Sequence, residues 1–223
     1  MSKADGIHVL SRRSNAKNYK DAVSIVTLGT NIGASANAYP YFMHSFIDYY
    51  PIDSGIYYKN NAWHVYASGT HSINETDNWI DKEVTGIKAG DTVEICSRLS
   101  GNDFLTEVKK NGRVKASLTA KLKPGVATSL KTYGSTAVRE MNIAAHGLIN
   151  GEVAFFSWST FNQSTFTNVS NQSIKVTESN SKLLAPYYDV PEYSHNGVGK
   201  GQGVPSTSNG YVVDTGWCRC NNQ

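Results

Sequence analysis

The sequence predicts an all-β protein, a two-sheet antiparallel β-sandwich, and three observations lead there. Short runs rich in Val, Ile, Thr and aromatic residues recur along the chain with polar turns between them. No segment carries the apolar period of an amphipathic helix of three turns. Charged residues are only 17% of the chain while Tyr takes 13 positions, a balance that suits strands with hydroxyl- and amide-rich outer faces better than helices laced with ion pairs. At 223 residues the chain is long enough for one such domain with a sizeable core.

Taken in order, residues 1–20 read as a loose basic arm, because Arg12, Arg13, Lys17 and Lys20 come without clear periodicity. The sandwich is expected over 21–183. Its first strand runs near Ala22–Leu28, and an aromatic stretch from Tyr39 to Tyr50 supplies the next. Asn60-Asn61 marks a turn before the strand Trp63–Ala67. Asp91–Leu99 alternates cleanly, with Val93, Ile95 and Leu99 inward and Glu94 and Arg98 outward. Asn111-Gly112 is the strongest hairpin signal in the chain, since both positions of a tight two-residue turn need positive φ. Residues 123–134 read as a polar link, and a strand over 152–161 follows a loop. From 184 to 223, Pro186, Pro191 and Pro205 with Gly197, Gly199, Gly201, Gly203 and Gly210 make a Gly/Pro-rich extension in which Tyr211–Val213 can dock as a last short strand.

The stretch Thr136–Ile143 puts a carboxylate in the middle of a strand. Alternation places Val138, Glu140 and Asn142 on one face, and Ala137, Arg139 and Met141 on the other. Glu140 is therefore either a solvent-facing charge or, on a shielded face, a candidate acid or base.

Several classes fall away at this stage. The net charge of +3 with dispersed Lys and Arg gives no footprint for nucleic acid. No apolar run reaches the length of a membrane span. Met1–Gly6 lacks the apolar core of a signal peptide, which leaves the compartment open between the cytoplasm and secretion by a route not encoded here. Cys96 reads as a small buried hydrophobe. Cys218 and Cys220, with only Arg219 between them, do not have zinc-ribbon spacing, so neither a metal nor another cofactor is expected.

Four stretches together resemble the glutamic peptidases, or eqolisins, whose fold is a concanavalin-like jelly roll. They are Gly86–Val93, the hairpin at Asn111-Gly112, Arg139–Ile143 and Val153–Ser157. Upstream, Ile52-Asp53-Ser54-Gly55 followed by Ala62–Tyr66 is similar to a further strand pair of that family. The resemblance spans about residues 40–170 and implies a divergent jelly roll. It places Glu140 on the family's catalytic glutamate and Asp53 on its catalytic glutamine. In the mechanism it implies, the glutamate activates water and the amide stabilises the oxyanion. An ionised Asp53 has no donor to offer, though two close carboxylates can share a proton at low pH.

Three readings of function follow. The first is a non-catalytic binding module, with carbohydrate or another cell-surface partner as ligand. Tyr57, Tyr58, Trp63, Tyr66 and Trp158 are its candidate stacking platforms, and Asp53, His64 and Glu140 its polar partners. The second is an acid-active peptidase using Glu140 with Asp53 on a polypeptide. The third is a structural or toxin-type protein that self-associates.

Overall fold

In the computed structural model the described residues are 5–34, 38–48, 51–69, 79–145, 152–156, 159–183, 187–188, 202–206, 210–214 and 218–220. Among them the strands in chain order are β1 (Asp5–Ser14), β2 (Tyr19–Thr27), β3 (Ile32–Gly33), β4 (Ala38–Phe46), β5 (Ile52–Lys59), β6 (Ala62–Ser68), β7 (Trp79–Val84), β8 (Thr92–Ser100), β9 (Asp103–Lys110) and β10 (Arg113–Lys121). After α1 (Pro124–Thr132), the single helix among the described residues, come β11 (Ala137–Ala145), β12 (Glu152–Phe156), β13 (Ser159–Asn168), β14 (Ser173–Lys175), β15 (Ser181–Leu183), β16 (Tyr187–Tyr188), β17 (Gln202–Ser206), β18 (Gly210–Asp214) and β19 (Cys218–Cys220). Two antiparallel sheets of eight strands form the sandwich. The first runs β15-β1-β11-β4-β5-β6-β7, with β16 also on β1. The second runs β10-β9-β8-β2-β13-β18-β17, with β14 also on β13. A small third sheet joins β19, β12 and β3. No helix of the described residues is long and apolar enough to cross a membrane.

Period-two alternation decides which face of each strand meets the other sheet. Val93 and Ile95 of β8 enter the core with Leu99 partly buried beside it, while Glu94 and Arg98 bond outward to Lys109 and Glu107 of β9. Phe42, Ile56, Trp63, Val65 and Met141 meet Val26, Val93, Ile95, Val108 and Phe161 across the gap. Hairpin turns fall at the two predicted dipeptides, and Asn60, Asn61, Asn111 and Gly112 all have positive φ. Cys96 is buried as expected, and burial pushes its thiol pKa up.

Three expectations need correction. The supposed basic arm contains β1, which pairs with β11 over eight residue positions. Arg12 is buried there, because its guanidinium donates to the Ser181 hydroxyl at 2.9 Å and to the Thr177 carbonyl at 3.2 Å. Internal acceptors thus replace the water that basic residues ordinarily signal. The supposed polar link holds α1, with Pro124 in its first turn, Ala127 and Leu130 buried one turn apart, and Gly134 at φ +72 just beyond it. The strand expected over 152–161 is two strands in different sheets, β12 pairing β3 and β19 while β13 pairs β2.

A polar seam crosses the core between the sheets. Arg139, 1% exposed, donates through Nη1 to Ser164 Oγ at 2.6 Å. Ser164 Oγ lies 2.7 Å from Ser24 Oγ, which lies 2.7 Å from His44 Nε2; His44 Nδ1 lies 2.9 Å from Ser97 Oγ, to which Ser54 also donates at 2.6 Å. A guanidinium can only donate, so Ser164 accepts from Arg139; each further hydroxyl can both donate and accept, and neutral His44 donates from one ring nitrogen and accepts at the other.

Burial, and next the Arg139 charge, push the His44 pKa down from 6.5 to about 3. The groups facing it are Ser24 of β2, Ser54 of β5, Ser97 of β8 and the Arg139 cation of β11, so no neighbouring carboxylate offsets a charge there. The unfolded chain binds a proton at this residue below about pH 6.5 and the folded chain does not until about pH 3, so stability falls as pH falls through that window. Denaturant titrations between pH 7 and 3 should show a loss on the order of 4 kcal/mol from this group. His44→Asn should lower stability at pH 7 and flatten the slope; an unchanged slope would show that His44 does not carry it.

Candidate functional site

Because Arg139 points between the sheets, Glu140 points to the opposite, outer face of the first sheet. Register then fixes its neighbours. Glu140 of β11 stands opposite Met43 of β4, Met43 opposite Gly55 of β5, Gly55 opposite Tyr66 of β6, and Tyr66 opposite Asp81 of β7. A parallel row two residues away holds Asn142, Tyr41, Tyr57, His64 and Glu83, and the row on the other side holds Val138, Ser45, Asp53, Ser68 and Trp79. On β1, Ser11 lies opposite Glu140.

Glycine at position 55 shapes this face. With no side chain there, the Tyr66 ring leans across β5 and its hydroxyl donates to Met43 Sδ at 3.2 Å. Tyr66 also stacks on Trp79 at 4.4 Å and meets Tyr41 edge-on at 5.2 Å. Tyr57 stacks on Tyr41 at 5.3 Å and on His64 at 4.8 Å, and its hydroxyl donates to the Asp81 carboxylate. His64 Nδ1 lies 3.7 Å from Asp81 Oδ2. The rings therefore cover one another: Tyr57 is 4% exposed and Tyr66 1%.

Glu140 is only 3% exposed, although it faces away from the second sheet. Asn142 Nδ2 donates to its Oε1 at 2.8 Å and lies 3.3 Å from Met43 Sδ. The Tyr66 hydroxyl is held well above its ordinary pKa by burial first, then by the fields of Asp53, Tyr41, Glu140 and Tyr57. One hydroxyl thus senses both candidate carboxylates. Strand spacing puts the backbones of Asp53 and Glu140 roughly 12 Å apart, two strands across and one two-residue step along.

The site residues named from the sequence divide between two faces. Asp53, Tyr57, His64, Tyr66 and Glu140 share the outer face. Trp63 and Tyr58 lie on the inner one, where Trp63 is a core residue at 3% exposure and Tyr58 packs on it at 5.2 Å. A large ring at an alternating position satisfies the core as readily as it offers a platform, and strand parity, read through the pairing, separates the two uses. Trp158 lies outside the described residues. Sequence reasoning missed Ser11, Met43 and Asp81 as neighbours of the site. Only Asn142 was visible, as the residue two beyond Glu140 on the same strand. The described residues hold no group of three His, Cys, Asp or Glu side chains able to hold a metal ion.

No protein-family model and no curated protein sequence matches the chain. Solved structures do. Scytalido-glutamic peptidase with a transition-state-analogue inhibitor aligns at a TM-score of 0.57 with 8% identity, over 96% of this chain and 100% of that one. SCP-B, a member of the eqolisin family in complex with the tripeptide Ala-Ile-His, aligns at 0.53 with 9% identity and the same coverage of both chains. The fold is an eqolisin-like β-sandwich in a strongly divergent sequence.

Gly55 gives this face a stringent test. A Cβ there would lie 2.2 Å from the Phe42 carbonyl oxygen and 2.7 Å from Met43 Cα. Both are backbone atoms of the neighbouring strand, so no rotamer relieves the contact. Gly55→Ala should lower stability by about 2 kcal/mol or more in chemical denaturation; an unchanged midpoint would mean that β4 and β5 approach less closely than described.

Proposed function

We propose that the protein is a non-catalytic binding module that takes a polypeptide ligand on the outer face of its first sheet. The observation that carries this reading is Asp53. It shares that face with Glu140, at the position where the resemblance to eqolisins implies an amide. Hydrolysis through a tetrahedral intermediate needs a donor aimed at the developing oxyanion, worth about 10²–10³ in rate. Two carboxylates supply acceptors and negative charge instead. Such a face suits the N–H groups and cationic side chains of a peptide. A polypeptide fits better than a sugar, because Trp63 is in the core and Tyr57 and Tyr66 are spent on one another. The structural neighbours, a glutamic peptidase with an inhibitor and an eqolisin with a tripeptide, agree with polypeptide as the ligand class.

One observation favours a second reading, an acid-active peptidase. Tyr66 lies in the field of both Asp53 and Glu140, so the two carboxylates flank one buried hydroxyl on the same face. In that case Glu140 activates water while a protonated Asp53 donates to the oxyanion.

A single comparison separates the readings. Under the binding reading the wild-type chain binds extended peptides saturably at neutral pH, cleaves no denatured protein at about pH 3–4, and loses affinity on Asp53→Asn. Under the peptidase reading it cleaves at that pH and Glu140→Gln abolishes the cleavage. Circular dichroism at the assay pH keeps an unfolded sample from counting as an inactive one. Absence of both binding and cleavage in a folded sample would overturn both.

A further inference from the structure

We propose that His64 is a pH-sensitive internal competitor for the ligand: once protonated, its imidazolium claims the β7 carboxylates Asp81 and Glu83, which a cationic group of the bound polypeptide otherwise meets. The inference rests on the polypeptide-binding reading and adds the regulation of that same face.

Three neighbouring strands bring the groups together. His64 of β6 stands directly opposite Tyr57 of β5 and Glu83 of β7, and Asp81 lies two residues before Glu83 on the same face. One oxygen, Asp81 Oδ2, accepts from the Tyr57 hydroxyl and lies 3.7 Å from His64 Nδ1. Among the described residues that buried nitrogen has no hydrogen-bond partner. The imidazole stacks on the Tyr57 ring, with centroids 4.8 Å apart and planes at 17°. Lys59, two residues beyond Tyr57 on β5, has its Nζ 4.6 Å from the centre of the Tyr39 ring of β4, on the other side of β5 from His64. The described groups that face His64 are therefore two carboxylates and one phenol.

Protonation changes what this imidazole can do. The neutral ring leaves Nδ1 unpaired, because 3.7 Å is too long for a hydrogen bond to Asp81. An imidazolium donates from both nitrogens, so a small rotation closes Nδ1–H on Asp81 while the charge meets Glu83 across the strand pair. The Tyr57 ring beneath it is a favourable seat for a cation. Burial first, then the hydrogen bond to Asp81, hold the Tyr57 hydroxyl above its ordinary pKa, so Tyr57 stays a donor and the imidazolium adds a second one to the same carboxylate. The side chains of His64 and Asp81 are 20% and 36% exposed, so a cation of the ligand can reach the same oxygens. Histidine is the side chain whose charge ordinarily changes between about pH 5 and 8, which places the competition in that range.

The test uses the full chain and an extended peptide of alternating lysine and serine, with a second peptide carrying norleucine for lysine as the uncharged control. Circular dichroism at each pH checks that the chain is folded. Between about pH 7.5 and 5.5 the lysine peptide should lose about fivefold in affinity, the size of one partly exposed ion pair, and the control should lose none. His64→Gln should bind the lysine peptide equally at both pH values. Asp81→Asn, at an exposed position of an edge strand, should remove most of the pH effect and serves if His64→Gln does not fold. The readout without ligand is the carboxylate carbon signals of Asp81 and Glu83 by NMR, which should move together with the His64 ring signals in the wild type and stay still in His64→Gln. Binding by the wild type that is the same at both pH values, or a fivefold loss that persists in His64→Gln, overturns the competitor while the polypeptide reading stands. If no peptide binds at either pH, the polypeptide reading fails and the carboxylate signals decide the switch: movement with the His64 ring keeps it, and no movement overturns it too.

Discussion

Arg139 is the residue on which the rest of the structure depends. A guanidinium buried between two sheets is costly unless its donors are met, and here it heads a chain of hydroxyls ending on His44, with the Phe161 ring 5.2 Å away. The chain ties β11, β4 and β5 of one sheet to β13, β2 and β8 of the other. Burial, with Arg12 next, lowers the Arg139 pKa only to about 9, so it remains a cation at neutral pH. A slip of one residue along β11 would expel that cation and drive Glu140 into the core. Register, sheet pairing and the placement of Glu140 are thus one constraint.

The outer face inherits its order from that constraint. Its residues sit on β11, β4, β5 and β6, central strands paired on both sides. Rows across these strands leave little freedom in where Glu140, Met43 and Tyr66 stand relative to one another. Gly55 then sets how far the Tyr66 ring leans, and the interlocked rings of Tyr41, Tyr57, Tyr66 and Trp79 stiffen the floor. A face built on strands rather than loops has its side chains held in fixed relative positions.

Much of this was legible from local pattern. Alternation assigned Arg139 and Glu140 to opposite faces, and the dipeptides Asn60-Asn61 and Asn111-Gly112 located two turns by their tolerance of positive φ. What was not legible depends on partners far away in sequence. Nothing near Arg12 says that Ser181 and Thr177 will accept from its guanidinium, so a basic segment read as a solvated arm when it is a strand. Nothing near Ser11 says that it will face Glu140. Trp63 and Tyr66 lie three residues apart on one strand, hence on opposite faces, and only pairing with β5 tells which of the two is core. The helix α1 was short enough for Pro124 and Gly125 to hide the Ala127–Leu130 repeat.

The seam and the outer face pull against each other as pH falls. Two carboxylates on one face can act as an acid pair only where one of them is protonated, which for ordinary carboxyl groups means about pH 4 or below. Through the same range the neutral His44 loses its advantage, because the unfolded chain takes up a proton that the core refuses until about pH 3. A protein selected for acid catalysis on this sheet gains from a core whose polar seam carries no depressed histidine. Here the seam is built around one, between Ser24 and Ser97, in the field of a buried arginine. The core chemistry is therefore matched to neutral pH rather than to the acid range.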